Sequence, residues 1–131
     1  MMARWLILLT CGPLLGSSAR AGVPLRAGER LTYRVSWAIV SGAGEIKISA
    51  REESTPDGPR LTVTTTTATR YLARLLMPFD AEAKSIFDLK TGRLVSLEET
   101  SAQRGKRTEH RVSFDYTSRQ ATYIGSKSGD Q

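Results

Sequence analysis

The chain has 131 residues, with 19 lysines and arginines against 13 acidic residues, a net charge of +6, one histidine and one cysteine. With His110 and Cys11 each alone, neither a zinc centre nor a thiol site has its usual ligands. No stretch reaches the roughly 20 apolar residues that a membrane-spanning helix needs.

The opening MMARWLILLTCGPLLGSSARA places Arg4 before an apolar run from Trp5 to Leu15, followed by small residues ending at Ala19-Arg20-Ala21. This is the layout of a secretory signal, and it predicts cleavage after Ala21 and an exported protein, periplasmic or envelope-associated. Cys11 follows Leu8-Leu9-Thr10 and imitates a lipoprotein site, but Thr10 is bulkier than the glycine or alanine usual there, so lipid attachment is the lesser reading. Cleavage removes Arg4, Arg20 and Cys11 but no acid, so the 19 basic residues become 17 against 13 acids and the charge falls to +4. A cysteine-free exported domain of about 110 residues must be held by its core alone. Export also takes the chain away from nucleoside triphosphates, which argues against ATP-dependent chemistry.

Residues 22–27 read as a short leader, and residues 22–131 as a single domain. From Gly28 the pattern has period two: Leu31, Tyr33, Val35, Trp37 and Ile39 fall on one face, Arg30, Thr32, Arg34 and Ser36 on the other. Such alternation belongs to a strand covered on one side. Ser41-Gly42-Ala43-Gly44 supplies residues that tolerate positive φ and predicts a tight reversal there, with Ile46 and Ile48 returning on the apolar face. Thr55-Pro56-Asp57-Gly58-Pro59 is a turn by composition. The β-branched run LTVTTTTATR, residues 61–70, then predicts an edge or half-exposed strand rather than a mucin-like stalk, since no proline interrupts it.

Residues 71–77 (YLARLLM) break the alternation with helical spacings among Tyr71, Leu72, Leu75 and Leu76, and Pro78 stops the run. They predict one or two helical turns, or an apolar connection across an open sheet end. Strands follow over residues 81–89, 93–101, 106–116 and 121–124, separated by Lys90-Thr91-Gly92, Gln103-Arg104-Gly105 and a turn at 117–120. Short strands at such spacing, joined by glycine turns, predict an all-β single antiparallel meander of about 6–7 strands with one short helical connection near 70–77.

Gly28, Glu29, Leu31, Tyr33 and Trp37, then Ala43-Gly44, then Ser85, Phe87 and Asp88, then Phe114-Asp115, form a set of positions that resembles the exported bacterial family known as domain of unknown function 3108. The resemblance covers residues 28–124, and its motifs are structural ones. It implies a strongly curved antiparallel sheet or incomplete barrel of the type found in envelope lipid carriers, a likeness of architecture and not of activity. It also implies a further segment after the Phe114-Asp115 strand, whereas this chain stops at Gly129-Asp130-Gln131, as a shortened member or a fragment would, leaving the last strand as an unpaired edge.

His110 lies in phase with Val112, Phe114 and Tyr116, which predicts a packed histidine rather than a base. Asp88 or Asp115 would have to complete a serine triad with it, and no Gly-x-Ser-x-Gly elbow is present. Adjacent Glu98 and Glu99 face opposite ways on a strand; Asp80 and Glu82 are in phase but near a chain entry. Asp88 and Asp115, each before a turn, read as caps of backbone groups. Arg30, Arg34, Lys47, Arg51, Arg107 and Arg111 lie on polar faces among Glu45, Glu52, Glu109 and Asp115, the pattern of a solvated surface more than of an anion-binding one, and without the interleaved aromatics of a nucleic-acid site.

The apolar face is the remaining candidate. Tyr33, Trp37, Ile46, Ile48, Phe87 and Phe114 form the expected lining of a cavity in the concave side of the sheet. The expectation is a non-catalytic exported protein that binds an apolar or amphiphilic envelope molecule there, with no cofactor, no metal and no nucleic acid. The alternative is a scaffold module pairing with an envelope protein or a second copy through an exposed sheet edge; an envelope hydrolase is a distant third.

Overall fold

The computed structural model describes residues 25–37 and 40–128, so the expected signal, its cleavage site, Cys11 and Ile39 lie outside the described residues. Seven strands, β1 (Arg30–Trp37), β2 (Val40–Thr55), β3 (Gly58–Thr69), β4 (Phe79–Asp88), β5 (Leu94–Gln103), β6 (Lys106–Asp115) and β7 (Gln120–Ser128), are joined by one helix, α1 (Tyr71–Leu76). They pair in chain order as a single antiparallel sheet, the meander expected from the spacing of the apolar runs. The sheet does not close: β1 and β7 are its two edges.

Antiparallel partners share a face, so the register sorts every side chain. Leu31, Tyr33 and Val35 of β1 stand with Ile46, Ile48 and Ala50 of β2, then Leu61, Val63, Thr65 and Thr67 of β3. The same face continues through Phe79, Ala81, Ala83, Ser85 and Phe87 of β4, Leu97 and Glu99 of β5, His110, Val112 and Phe114 of β6, and Tyr123 of β7. The opposite face carries most of the charges, among them Arg34, Glu45, Lys47, Arg51, Glu82, Lys84, Glu98 and Arg111.

Burial is concentrated where β2 and β3 cross the middle of one end. Leu61, at 1% exposure, packs with Ala50 and Val63, and Leu25, Ile48, Phe87 and Leu89 close over them. Leu25 reaches this cluster because Gly28 donates to the Ala50 carbonyl and the Glu29 carbonyl accepts from Ala50, extending the β1–β2 ladder toward the N-terminal residues.

One expectation is corrected. Trp37 pairs with Val40, so the first reversal falls before the glycines; Gly42, Ala43 and Gly44 belong to β2. The register shifts between Val35 and Trp37, and Gly42 takes φ +68 opposite Ser36, whose hydroxyl accepts its N–H at 3.3 Å. Positive φ is spent on a bulge, which needs it as much as a turn does. Of the two readings of the threonine run the half-exposed strand holds: β3 pairs with both β2 and β4, and Thr64 to Thr67 stay half-exposed because no second layer covers them among the described residues. Helix α1 forms where expected, and none of its residues is buried.

The tight turns follow local chemistry. Arg104 and Gly105 both have positive φ, as a two-residue hairpin between twisted strands requires. The Asp88 carboxylate accepts from the N–H groups of Lys90 and Thr91 at 2.7 and 2.9 Å, and Asp115 accepts from Thr117 and Ser118 at 2.8 and 3.2 Å. Both aspartates are the turn caps their positions predicted. The Thr91 N–H holds the Asp88 carboxyl below its ordinary value, and the Ser118 hydroxyl does the same for Asp115.

Leu61→Ala should cost about 3 kcal/mol, within the usual range for a buried leucine, and read as a lower midpoint in urea unfolding. A cost near zero would show that the cluster does not hold the sheet. For the caps, depressed folded-state values mean stabilisation that is complete above the unfolded aspartate value and lost as pH falls through the folded one. The unfolding midpoint should therefore drop below about pH 4, and drop less in an Asp88→Asn, Asp115→Asn double variant; identical profiles would sink this account.

Candidate functional site

Only part of the apolar face is core. Between Leu61 and Phe87 at one end and Phe79 at the other, the two central strands present small side chains: Thr65 and Thr67 on β3 opposite Ala83 and Ala81 on β4, with Ser85 next in line. Large residues flank this floor on both sides, Tyr33, Ile46 and Ile48 on β1 and β2, and Leu97, His110, Val112 and Tyr123 on β5 to β7. Three strand spacings separate β2 from β5, about 14 Å, so small floor and large walls together make a shallow trough along β3 and β4. The threonines, alanines and Ser85 of the floor are all only half-buried.

The six expected lining residues separate into groups. Tyr33 and Ile46 are direct cross-strand partners, Tyr33 exposed and Ile46 half-buried, and they form one wall of the trough. Ile48 and Phe87 pack against the buried cluster and close its end. Phe114 stacks with Tyr116, ring centres 6.3 Å apart, where Arg93 lies 4.7 Å over the Tyr116 ring and the Tyr116 hydroxyl donates to the Leu94 carbonyl. Trp37 ends β1, and its side chain lies outside the described residues. The floor residues were not among those expected, because threonine and alanine carry no weight in an apolar periodicity; only the register brings them together.

The far wall carries polar groups. His110 sits between Glu99 and Gly125 in the register, and its Nδ1 is hydrogen-bonded to the Tyr123 hydroxyl, with the two rings stacked 5.6 Å apart. Gly125 makes room for this: a Cβ there would lie 2.8 Å from the Tyr123 hydroxyl and 3.1 Å from His110 Nδ1. His110 is thus on the apolar face, whereas Asp88 and Asp115 are committed to their turns, and the fold does not bring these three together. Glu98 and Glu99 point to opposite faces, and Asp80 is held by both guanidinium nitrogens of Arg74 at 2.9 and 2.8 Å. No group of His, Cys, Asp or Glu suited to a metal ion occurs among the described residues.

The polar face is neutralised locally. Glu45 takes both Lys47 at 2.9 Å and Arg70 at 2.7 Å, and the Lys47 hydrogen bond leads in holding its carboxyl below the usual range. Arg111 meets Glu98 across β5 and β6, Arg107 meets Glu109 along β6, and Arg51 faces Glu53 along β2. A groove of about 290 Å³ on β5–β7 is lined by Glu98, Thr100, Glu109, Arg111, Ile124 and Ser126 beside Glu99 and His110. Its mixed charge favours neither a cation nor an anion.

Comparison with curated proteins and with solved structures gives no significant match to this chain. A family model does match, over residues 32–131, a span that starts within β1 and runs past β7. The chain therefore belongs to the family described as protein of unknown function DUF3108, the one its strand and turn positions resemble.

Proposed function

We propose that this protein is an exported carrier or binder that holds an amphiphilic molecule of the cell envelope in the trough along β3 and β4 without converting it. The observation that carries the reading is the small-residue floor. A sheet face that serves only as a core fills its pleats with large side chains to interior density. Here Thr65, Thr67, Ala81, Ala83 and Ser85 leave the central strands low between the walls of Tyr33 and Ile46 and of Leu97, Val112 and Tyr123. The methyl groups of the floor suit an acyl or isoprenoid chain, and Glu99, His110 and Tyr123 at one wall offer hydrogen-bonding partners to a polar head. The N-terminal pattern of Arg4, an apolar run and Ala19-Arg20-Ala21 supports export, which would bring the trough to the molecules of the envelope.

A second reading rests on β7. This nine-residue strand is an edge among the described residues, with Tyr123 and Ile124 exposed, and an uncovered edge of that length can pair with another strand. Concentration-dependent association that disappears in Ile124→Lys would favour it.

Organic extracts of the purified protein, analysed by mass spectrometry, should contain an amphiphile at near-stoichiometric level. Filling the floor with Thr65→Leu and Ala83→Leu should remove it while circular dichroism and the unfolding midpoint are kept, because both positions are half-exposed. Absence of any amphiphile above a control protein, or its full retention in the filled variant, would refute the carrier reading.

A further inference from the structure

A helix at a protein surface ordinarily turns its apolar stripe inward. Helix α1 does the reverse. Tyr71, Leu72, Leu75 and Leu76 are 79%, 62%, 82% and 71% exposed, and Met77 just beyond is 44% exposed. At 100° per residue the first four fall within an arc of about 140°; the Tyr71 ring has one edge beside Gly42 of β2, and Leu72, Leu75 and Leu76 stand exposed. Ala73, only half-buried, is the small residue on the other side, and no residue of the helix is buried.

Polar contacts, not apolar ones, fix this element. Arg70 donates to Glu45 on β2, and Arg74 grips Asp80 on β4 with two hydrogen bonds. The Thr69 hydroxyl donates to the Met77 carbonyl at 3.0 Å and accepts from the Phe79 N–H at 3.0 Å, tying both ends of the excursion together. The helix is therefore held firmly in place with its leucines outward.

The register puts cations at the same end of the sheet. Phe79, the first residue of β4, pairs with Gln103, whose next pairing is with Lys106, so the Arg104-Gly105 tip and Arg107 stand two strands from α1. Arg104 makes no ion pair among the described residues. Four arginines, Arg70, Arg74, Arg104 and Arg107, thus accompany three acids, Glu45, Asp80 and Glu109, around this apolar knob.

We infer that α1 is an interfacial anchor that docks this end of the sheet onto an anionic lipid bilayer. Interfacial helices combine an apolar face of leucines and aromatics with flanking arginines or lysines and enter the headgroup region by about 5–10 Å. A protein partner is the poorer occupant: a stable interface needs about 800 Å² per side, far more than one short helix offers, and leucine is under-represented among residues that anchor such interfaces. Docking by α1 needs no cargo in the trough, and the two can be lost separately.

Hydrogen exchange on the full chain, with and without vesicles of phosphatidylglycerol and phosphatidylcholine, tests the inference locally. Peptides spanning residues 70–78 should exchange about tenfold more slowly with the anionic vesicles, while peptides from β5 and β7 keep their rates. A Leu72→Ser, Leu75→Ser, Leu76→Ser variant should lose that protection with its unfolding midpoint intact, as no buried group is touched. Unchanged exchange at 70–78, or protection that survives in the serine variant, would overturn the assignment. Equal protection by pure phosphatidylcholine would overturn the anionic preference, and protection that rises with protein concentration in the absence of lipid would replace the bilayer by a second copy.

Discussion

The rest of the structure depends on the sheet being one layer. Most domains bury the apolar face of a sheet against a second sheet or a row of helices. Here β1 to β7 pair only with their neighbours in sequence, and α1, the one helix among the described residues, buries none of its side chains and leaves its leucines exposed. The backbone ladder is then the main source of order, because each strand from β2 to β6 is hydrogen-bonded on both sides while the buried cluster is confined to Ala50, Leu61 and Val63 with their half-buried neighbours. An apolar face larger than the core that consumes it follows directly.

That same constraint explains what was legible in the sequence. In a meander every contact between strands is local in the chain, so alternation plus turn chemistry is nearly sufficient: Asp88 before Lys90-Thr91-Gly92 and Arg104-Gly105 before β6 both do what their residue types imply. The reading failed where a residue type has two uses. Gly42 fits a turn because positive φ is needed there, and a bulge inside β2 needs it equally. The threonine run fits an edge or a half-exposed strand, and only the register decides for the second: in a one-layer sheet a central strand is itself half-exposed. The trough was invisible for a different reason: Thr65 and Ala83 are eighteen positions apart and acquire meaning only as partners in the register.

The two faces divide the chemistry unequally. On the polar face, acids sit beside bases at every turn, Glu45 between Lys47 and Arg70, Glu98 beside Arg111, Glu109 beside Arg107, so a net basic chain presents little unpaired charge across the sheet itself. Exposed pairs of this kind contribute little to stability, and their effect is to keep the face soluble and unattractive to polyanions. On the apolar face Glu99, His110 and Tyr123 stand together at one wall, next to a floor of threonine, alanine and serine side chains. Segregation of that sort is what an amphiphile can use and what a uniform core would not contain.

A meander also alternates its connections between two ends, and in this chain the ends differ. At one end lie the β2–β3, β4–β5 and β6–β7 turns, the latter two capped by Asp88 and Asp115, together with Leu25, Leu61 and Phe87. At the other lie the β1–β2 reversal, α1 and the Arg104-Gly105 tip, with exposed leucines and with Arg70, Arg74 and Arg104. The capped end holds the fold, so the other end is free to carry side chains that do nothing for it. Selection for stability alone would replace Leu72, Leu75 and Leu76 with polar residues, since their exposure to water contributes nothing to folding and invites aggregation. Five large apolar side chains in a seven-residue excursion, held rigid by arginine pairs, are better explained by a surface they meet than by the sheet they leave.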